Sequence, residues 1–199
     1  MKRLAVLLTI TALASLLSAG VAFALTVDCT SGRGCFGTDG PDTLKGSAGY
    51  DDMDARQAGD DLYGGDGQDW MSGDTYGPAD SSTDGEDRMF GGAGSDGMVG
   101  YGGGDLFSGG IGRDYIYAVE HSNGPGEDTF RGGKGDDFIE AIDKTRDTID
   151  CGAGEKDRVY YDKDLDTIQG CEIARVRYQE GTVLASSAAA KDVNTSRSR

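Results

Sequence analysis

Aspartate returns every nine residues along most of this chain, and carboxylates at a fixed spacing are the side chains best placed to do chemistry here. Asp42, Asp51, Asp60, Asp69, Asp87, Asp96, Asp105, Asp114, Asp128, Asp137, Asp147, Asp157 and Asp166 each hold the sixth place of a nine-residue unit. Four units are complete and start at Gly64, Gly91, Gly109 and Gly132; they read Gly-Gly-x-Gly-x-Asp-x-U-x, with U a large apolar residue. Weaker copies start at Gly37, Gly46, Ala55, Ser82, Gly100, Asn123, Ile142, Cys151 and Tyr161. In the complete units Gly64, Gly65, Gly67, Gly91, Gly92, Gly94, Gly109, Gly110, Gly112, Gly132, Gly133 and Gly135 fill places one, two and four. Glycine admits positive φ and close approach of the backbone, so carbonyl oxygens can turn toward one point. Carbonyls plus carboxylates form a hard, all-oxygen donor set of the kind Ca²⁺ takes in flexible coordination of six to eight. Zinc is a poor match, because His121 is the single histidine and no Cys/His set accompanies it.

Such donors need a scaffold, and the eighth place of each unit supplies it. That place is apolar in every unit: Leu44, Met53, Leu62, Met71, Met89, Met98, Phe107, Ile116, Phe130, Ile139, Ile149, Val159 and Ile168. The pattern predicts a strand of about three residues per unit, the eighth side chain pointing inward and its two neighbours outward. One inward residue cannot bury itself, so the units must stack into a shared thin core. The fold class expected is all-β, a parallel β-roll of about thirteen nonapeptide units.

On these motifs the stretch from Gly37 to Gln169 resembles the RTX, or haemolysin-type, calcium-binding repeat family. The resemblance implies a solenoid with two nonapeptides per turn and several Ca²⁺ ions between stacked loops. It implies as ligands the loop carbonyls and the aspartates Asp42, Asp51, Asp60, Asp69, Asp87, Asp96, Asp105, Asp114, Asp128 and Asp137. Members of the family often carry a C-terminal export signal, whereas this chain begins with an N-terminal one. No toxin or protease segment is expected, and those activities are not carried over.

With two units per turn, odd and even loops fall on opposite edges. The complete loops are units four, six, eight and ten, all on the even edge, which is expected to hold the best calcium column through Asp51, Asp69, Asp96, Asp114 and Asp137. The odd edge is expected to hold fewer or weaker sites, with Asp87 and Asp105 foremost. It collects the irregularities: Gly73 to Ser81 inserted before unit five, Ala118 to Ser122 before unit nine, one extra residue before unit eleven, and Ala55-Arg56-Gln57-Ala58 in place of the glycines of unit three. The last three units lack the full set of glycines, and Lys144 and Arg146 in unit eleven are expected to compete with a metal. The other reading of the aspartates is a solvated acidic face or turn chemistry, since Asp-Gly is common in turns.

The four cysteines flank the array. Units twelve and fourteen stack one turn apart, about 4.7–4.9 Å, so Cys151 and Cys171 lie within disulfide reach. The pairing expected is Cys29–Cys35 and Cys151–Cys171, one staple at each raw end of the solenoid, in an oxidising compartment. The organisation expected is a signal peptide at 1–24, an N-terminal cap at 25–36, the β-roll at 37–169, a C-terminal cap at 170–178 and a flexible tail at 179–199. The leader rests on Lys2-Arg3, the apolar run Leu4 to Leu17 and the small-x-small site Ala22-Phe23-Ala24. Its removal takes two positive charges with it, moving the net charge from −16 to −18, and leaves no membrane span. The product expected is secreted.

Composition narrows the partners. The 199 residues hold 34 Gly, against a usual share of about 7%, yet too little Pro and no strict period for collagen. Asp and Glu number 35 against 19 Lys and Arg, which disfavours nucleic acid. No nucleophile elbow, zincin helix or phosphate loop occurs, so no enzyme is expected. The alternative to a calcium-binding role alone is a glycan- or protein-binding module: seventh-place residues Trp70, Tyr115 and Phe138 would line one outer face, with Tyr76 in the neighbouring insertion. Asn194-Thr195-Ser196 matches a glycosylation sequon in the tail.

Overall fold

The computed structural model describes residues 24–30, 34–74, 85–119 and 126–176. The leader up to Phe23, Tyr76, His121, the tail and its sequon lie outside these residues.

Short runs of alternating inward and outward residues, punctuated by glycine and aspartate, produce strands rather than helices. Among the described residues sixteen such strands alternate between two parallel sheets of eight. The odd sheet contains β1 (Thr26–Asp28), β3 (Thr43–Lys45), β5 (Asp61–Asp66), β7 (Arg88–Ala93), β9 (Leu106–Ile111), β11 (Thr129–Lys134), β13 (Thr148–Ala153) and β15 (Thr167–Gln169). The even sheet contains β2 (Gly34–Phe36), β4 (Asp52–Asp54), β6 (Trp70–Ser72), β8 (Gly97–Val99), β10 (Tyr115–Tyr117), β12 (Phe138–Ala141), β14 (Arg158–Tyr161) and β16 (Ile173–Val176). Each strand pairs only with strands two places away in the chain, so two units make one turn of a parallel β-solenoid of about seven turns. The flanking segments extend the same roll: β1 and β2 precede the first unit, and β16 follows the last.

The core is two facing columns one side chain wide. Leu44, Leu62, Met89, Phe107, Phe130 and Ile149 descend the odd sheet, while Met53, Met71, Met98, Ile116, Ile139 and Val159 descend the even one, all fully buried. Ile168, the last eighth-place residue, is only partly covered and packs against this cluster. Register is strict, for example Leu62↔Met89, Met89↔Phe107 and Phe107↔Phe130. Identical shapes meet at the centre, where the Phe107 and Phe130 rings stack with centroids 4.9 Å apart.

The disulfides are Cys29–Cys35 and Cys151–Cys171, one near each end. The first joins the chain just past β1 to β2; the second links β13 to the chain entering β16.

The placement of the insertions differs from expectation. Gly73 donates its amide to the Val99 carbonyl (2.9 Å) and Ala118 donates to Glu140 (3.0 Å), as Gly37 does to Asp54 (2.8 Å) and Ala55 to Ser72 (3.0 Å). Gly73 and Ala118 are therefore the first residues of units five and nine, and the extra residues enter inside those odd loops instead of before them. Likewise the strand β12 runs through Ala141, which is buried and opens unit eleven. The first place must be small and hydrogen-bonded to the next turn, so additional chain is accommodated only after it has left the sheet.

Candidate metal-binding ladders

Every sixth-place aspartate turns its carboxylate into the loop stack, and, Asp51 apart, one oxygen of each holds the turn before it. On the even edge the amide of Asp51 donates to Oδ1 of Asp69 (2.8 Å), Asp69 to Asp96 (2.8 Å), Asp96 to Asp114 (2.9 Å), Asp114 to Asp137 (2.9 Å) and Asp137 to Asp157 (2.7 Å). Glu172 ends this ladder by accepting from Asp157 (3.1 Å). The odd edge carries an equally continuous ladder: Asp42 donates to Asp60 (2.5 Å), Asp60 to Asp87 (2.8 Å), Asp87 to Asp105 (2.9 Å), Asp105 to Asp128 (2.7 Å), Asp128 to Asp147 (2.8 Å) and Asp147 to Asp166 (3.0 Å).

The second oxygen is where the capacity for a ligand lies. Oδ2 of Asp60, Asp69, Asp87, Asp96, Asp114, Asp128, Asp137, Asp147 and Asp157 is buried without a hydrogen-bond partner. A buried carboxylate oxygen with nothing to bind costs on the order of 1–3 kcal/mol or more when charged, so a whole column of them calls for protons or cations. Loop carbonyls converge on the same places. A Cβ built on Gly64 would lie 2.5 Å from the Gly91 carbonyl oxygen and 2.6 Å from Asp69 Oδ2, and one on Gly132 would lie 2.6 Å from Asp137 Oδ2 beside the Cys151 carbonyl. The same pairing of carbonyl and Oδ2 recurs at Gly91 with Asp96 and at Gly109 with Asp114. These are hard oxygens only, which fits a Ca²⁺-type ion and not a soft one.

Burial dominates the electrostatics. Desolvation, then the neighbouring carboxylates of the ladder, raise Asp60, Asp114 and Asp147 to about 7 and Asp128 to about 9, against an outward pull from the amide hydrogen bonds. Asp69, Asp157 and Asp166 rise to about 6, and Asp96 and Asp137 rise as well, from the same leading cause. Asp87 is also raised, by burial and by the adjacent Asp105. Carboxylates so raised resist full ionisation at neutral pH unless a cation meets them.

The edges differ in backbone more than in carboxylates. Beyond each eighth-place residue the odd-sheet strands β5, β7, β9, β11 and β13 continue into the even loops, pairing Gly65↔Gly92, Gly92↔Gly110, Gly110↔Gly133 and Gly133↔Gly152. Gly92 (φ 105°) and Gly94 (φ 144°) show what those loops need. On the odd edge the left-handed conformation falls on Gly103 (101°) but mostly on residues with side chains, Arg56 (87°), Ala58 (75°), Tyr101 (79°), Lys144 (78°) and Asp164 (75°), at roughly 1–2 kcal/mol for each of these five. The even loops are the regular ones.

A family model described as the RTX calcium-binding nonapeptide repeat, in four copies, matches residues 36–71, 81–116 and 122–141. The chain belongs to the RTX calcium-binding nonapeptide-repeat family. No curated protein and no solved structure matches it significantly. The RTX match is to a repeat module, and the stacked aspartate ladders are consistent with calcium binding.

Within this RTX roll the ten aspartates named from sequence all lie on the ladders, but not with equal capacity. Asp42 Oδ2 is spent on the Thr38 amide (2.5 Å) and hydroxyl (2.9 Å); Asp51 Oδ2 is spent on the Ser47 amide (2.6 Å) and hydroxyl (2.9 Å), which leaves its buried Oδ1 as the oxygen without a hydrogen-bond partner. The complete-unit glycines all lie in the even loops, as their register requires. Sequence reasoning missed Glu172 and left Asp143 and Asp147 out of the ligand set. Glu172 closes the even ladder one unit beyond the last regular repeat. Asp143 and Asp147 join Asp128 in a group whose ligand atoms lie within 4.8 Å of one another, on the odd edge. The signal was present as one extra acid, Asp143, beside the regular Asp147 in a glycine-free loop, read instead as weakness because of Lys144 and Arg146. Both cations are exposed, and among the described residues neither pairs with this group.

The outer face of the even sheet carries the aromatic residues. Trp70 (43% exposed) and Tyr115 (41%) flank Gly97, whose missing side chain leaves room for the Trp70 ring. A cleft of about 380 Å³ opens there, lined by Tyr50, Trp70, Gly97, Tyr115 and Tyr117 among others. Phe138 does not continue that surface as a free ring: it is half-buried between Tyr115, Tyr117 and Tyr160, at 5.7–6.2 Å. Among the described residues no helix is long and apolar enough to cross a membrane.

Proposed function

We propose that this chain is an exported RTX repeat protein that binds several Ca²⁺ ions between its stacked loops and completes its folding as it does so. The observation carrying the reading is the column of buried, unpartnered Oδ2 atoms beside converging carbonyls. The residues that would hold the ions are Asp69, Asp96, Asp114 and Asp137 on the even edge with the loop carbonyls of the glycine units, and Asp60, Asp87, Asp105 and Asp128 on the odd edge. Bound cations supply the positive charge that two ladders of carboxylates lack. Metal bound only by the folded state adds to its stability by mass action. Two disulfides and the leader-like first 24 residues support export, and extracellular modules bind Ca²⁺ at about 10⁻⁴–10⁻³ M. A far-ultraviolet circular dichroism titration of the oxidised chain tests this: a cooperative gain of β signal with Ca²⁺ and not Mg²⁺ is expected, and a full β spectrum in chelator would overturn calcium-coupled folding.

The cleft over Gly97 favours a second, compatible reading, a non-catalytic module for an extracellular glycan or protein. Exposed Trp and Tyr rings either side of a notch suit the apolar face of a sugar. Retention on immobilised polysaccharides that is lost in Trp70→Ala supports this use; retention unchanged in Trp70→Ala removes it.

A further inference from the structure

We propose that Asp128, Asp143 and Asp147 form a Ca²⁺ site of a different build from the repeat sites, rich in carboxylates and free of glycine, and the tightest in the molecule. Each of the three uses one oxygen to hold protein and leaves the other uncommitted. Asp128 Oδ1 accepts the Asp105 amide (2.7 Å). Asp147 Oδ1 accepts the Asp128 amide (2.8 Å) and the Thr145 hydroxyl (3.1 Å). Asp143 Oδ1 accepts both the amide and the hydroxyl of Thr145 (2.7 Å each). The remaining Oδ2 atoms of all three are buried and have no hydrogen-bond partner.

A cluster of acids alone would mean little; what marks this one is that Asp128 (2% exposed) and Asp147 (0%) are buried and aim unpartnered oxygens into it. Ligand atoms within 4.8 Å of one another fit around an ion that sits about 2.3–2.6 Å from each, the Ca²⁺ range. Mg²⁺ demands a tighter, near-octahedral set, which an irregular loop with Lys144 at φ 78° does not offer. The loop is braced from the next turn: Asp162 Oδ2 accepts the amides of Asp143 (3.0 Å) and Lys144 (2.6 Å). The RTX match ends at residue 141; Asp147 holds the sixth place of a weaker unit beyond it, and Asp143 does not stand at the aspartate place of the repeat pattern. Three carboxylates in a braced site give more charge per ion than a repeat loop gives, and charge count with rigidity is what tightens calcium binding.

This inference shares the choice of ion with the proposed function, and equilibrium binding of Ca²⁺ to the full oxidised chain separates the two. Asp143→Asn keeps the shape and the acceptor for Thr145 but removes the charge; Asp52→Asn, exposed on the even sheet, controls for net charge. Expected is the loss of the first, tightest binding step and of one bound ion in Asp143→Asn, the later steps and the calcium-saturated β spectrum being kept, with Asp52→Asn unchanged. Identical binding by Asp143→Asn and the parent chain would overturn the site and leave the calcium-binding roll standing. A parent chain that binds no Ca²⁺ would overturn both. Should Asp143→Asn fail to fold, carboxyl carbon resonances of the parent chain decide: Asp128, Asp143 and Asp147 must shift with the first equivalent of Ca²⁺, and their constancy would sink the proposal.

Discussion

A single ladder aspartate has two jobs that pull in opposite directions. Its Oδ1 fastens the preceding turn, while its charged Oδ2 is a burden unless a cation meets it. Asp96 separates the two: Asp96→Asn keeps an acceptor for the Asp69 amide (2.8 Å) but carries no charge. The variant is expected to melt higher than the parent in calcium-free buffer at neutral pH and lower in saturating Ca²⁺, a crossover that thermal unfolding in both buffers detects. Acidity acts in the same direction as that substitution. With folded pKa values of about 6 to 9 at Asp69, Asp60, Asp114 and Asp128 and ordinary unfolded values near 3.8, the folded state binds protons more tightly. That contribution to stability is complete below about pH 4 and drains away as pH climbs through 6 to 9. The calcium-free chain is therefore expected to show more β signal and a higher melting temperature at pH 5 than at pH 8. Calcium must displace those protons, so its affinity is expected to fall on acidification over the same range. A calcium-free chain more ordered at pH 8 than at pH 5 would contradict the ladder electrostatics.

The strands are too short to be stable singly, and the core is only two side chains across, so each inward residue carries a large share of its turn. Phe107 lies fully buried in β9 and stacks on Phe130 of β11. Phe107→Ala is expected to cost about 3–5 kcal/mol, read as a lower melting temperature at saturating Ca²⁺ and a higher calcium midpoint. The same substitution at Tyr63, half-exposed on the outer face of β5, is expected to leave both nearly unchanged. The inward column and the ladders were legible in the sequence because a strict period of nine brings like residues into register: Leu62, Met89 and Phe107 could be placed in one column from spacing alone. The loop interiors were not legible in the same way. Gly73 and Ala118 look like inserted residues when units are aligned on glycine, since nothing in the one-dimensional pattern marks which small residue closes the sheet hydrogen bond. Asp143 was discounted for a related reason: its charged neighbours Lys144 and Arg146 can be seen in sequence, but their outward direction is set by a left-handed backbone at Lys144 that residue type argues against.

A stack of near-identical turns holds together through neighbour contacts, so opening starts at the ends. The two disulfides sit where that opening would begin, Cys29–Cys35 beside β1 and β2, and Cys151–Cys171 across β13 to β16. Replacing Cys151 and Cys171 together by Ser is expected to speed amide hydrogen exchange in β13 to β16 while β7 to β10 in calcium-saturated protein keep their protection. Uniform acceleration along the roll would mean that the molecule opens as one cooperative unit, with the staples acting on the unfolded chain instead.

The extra residues of units five and nine follow Gly73 and Ala118, within odd loops, while the core columns and the even loops keep their register through the neighbouring turns. One margin of the molecule is thus a binding that cannot change its spacing, and the opposite margin is a row of pages into which text can be slipped. A foreign peptide spliced after Gly73 is therefore expected to be displayed from the roll without a change of register in the core columns or in the even loops.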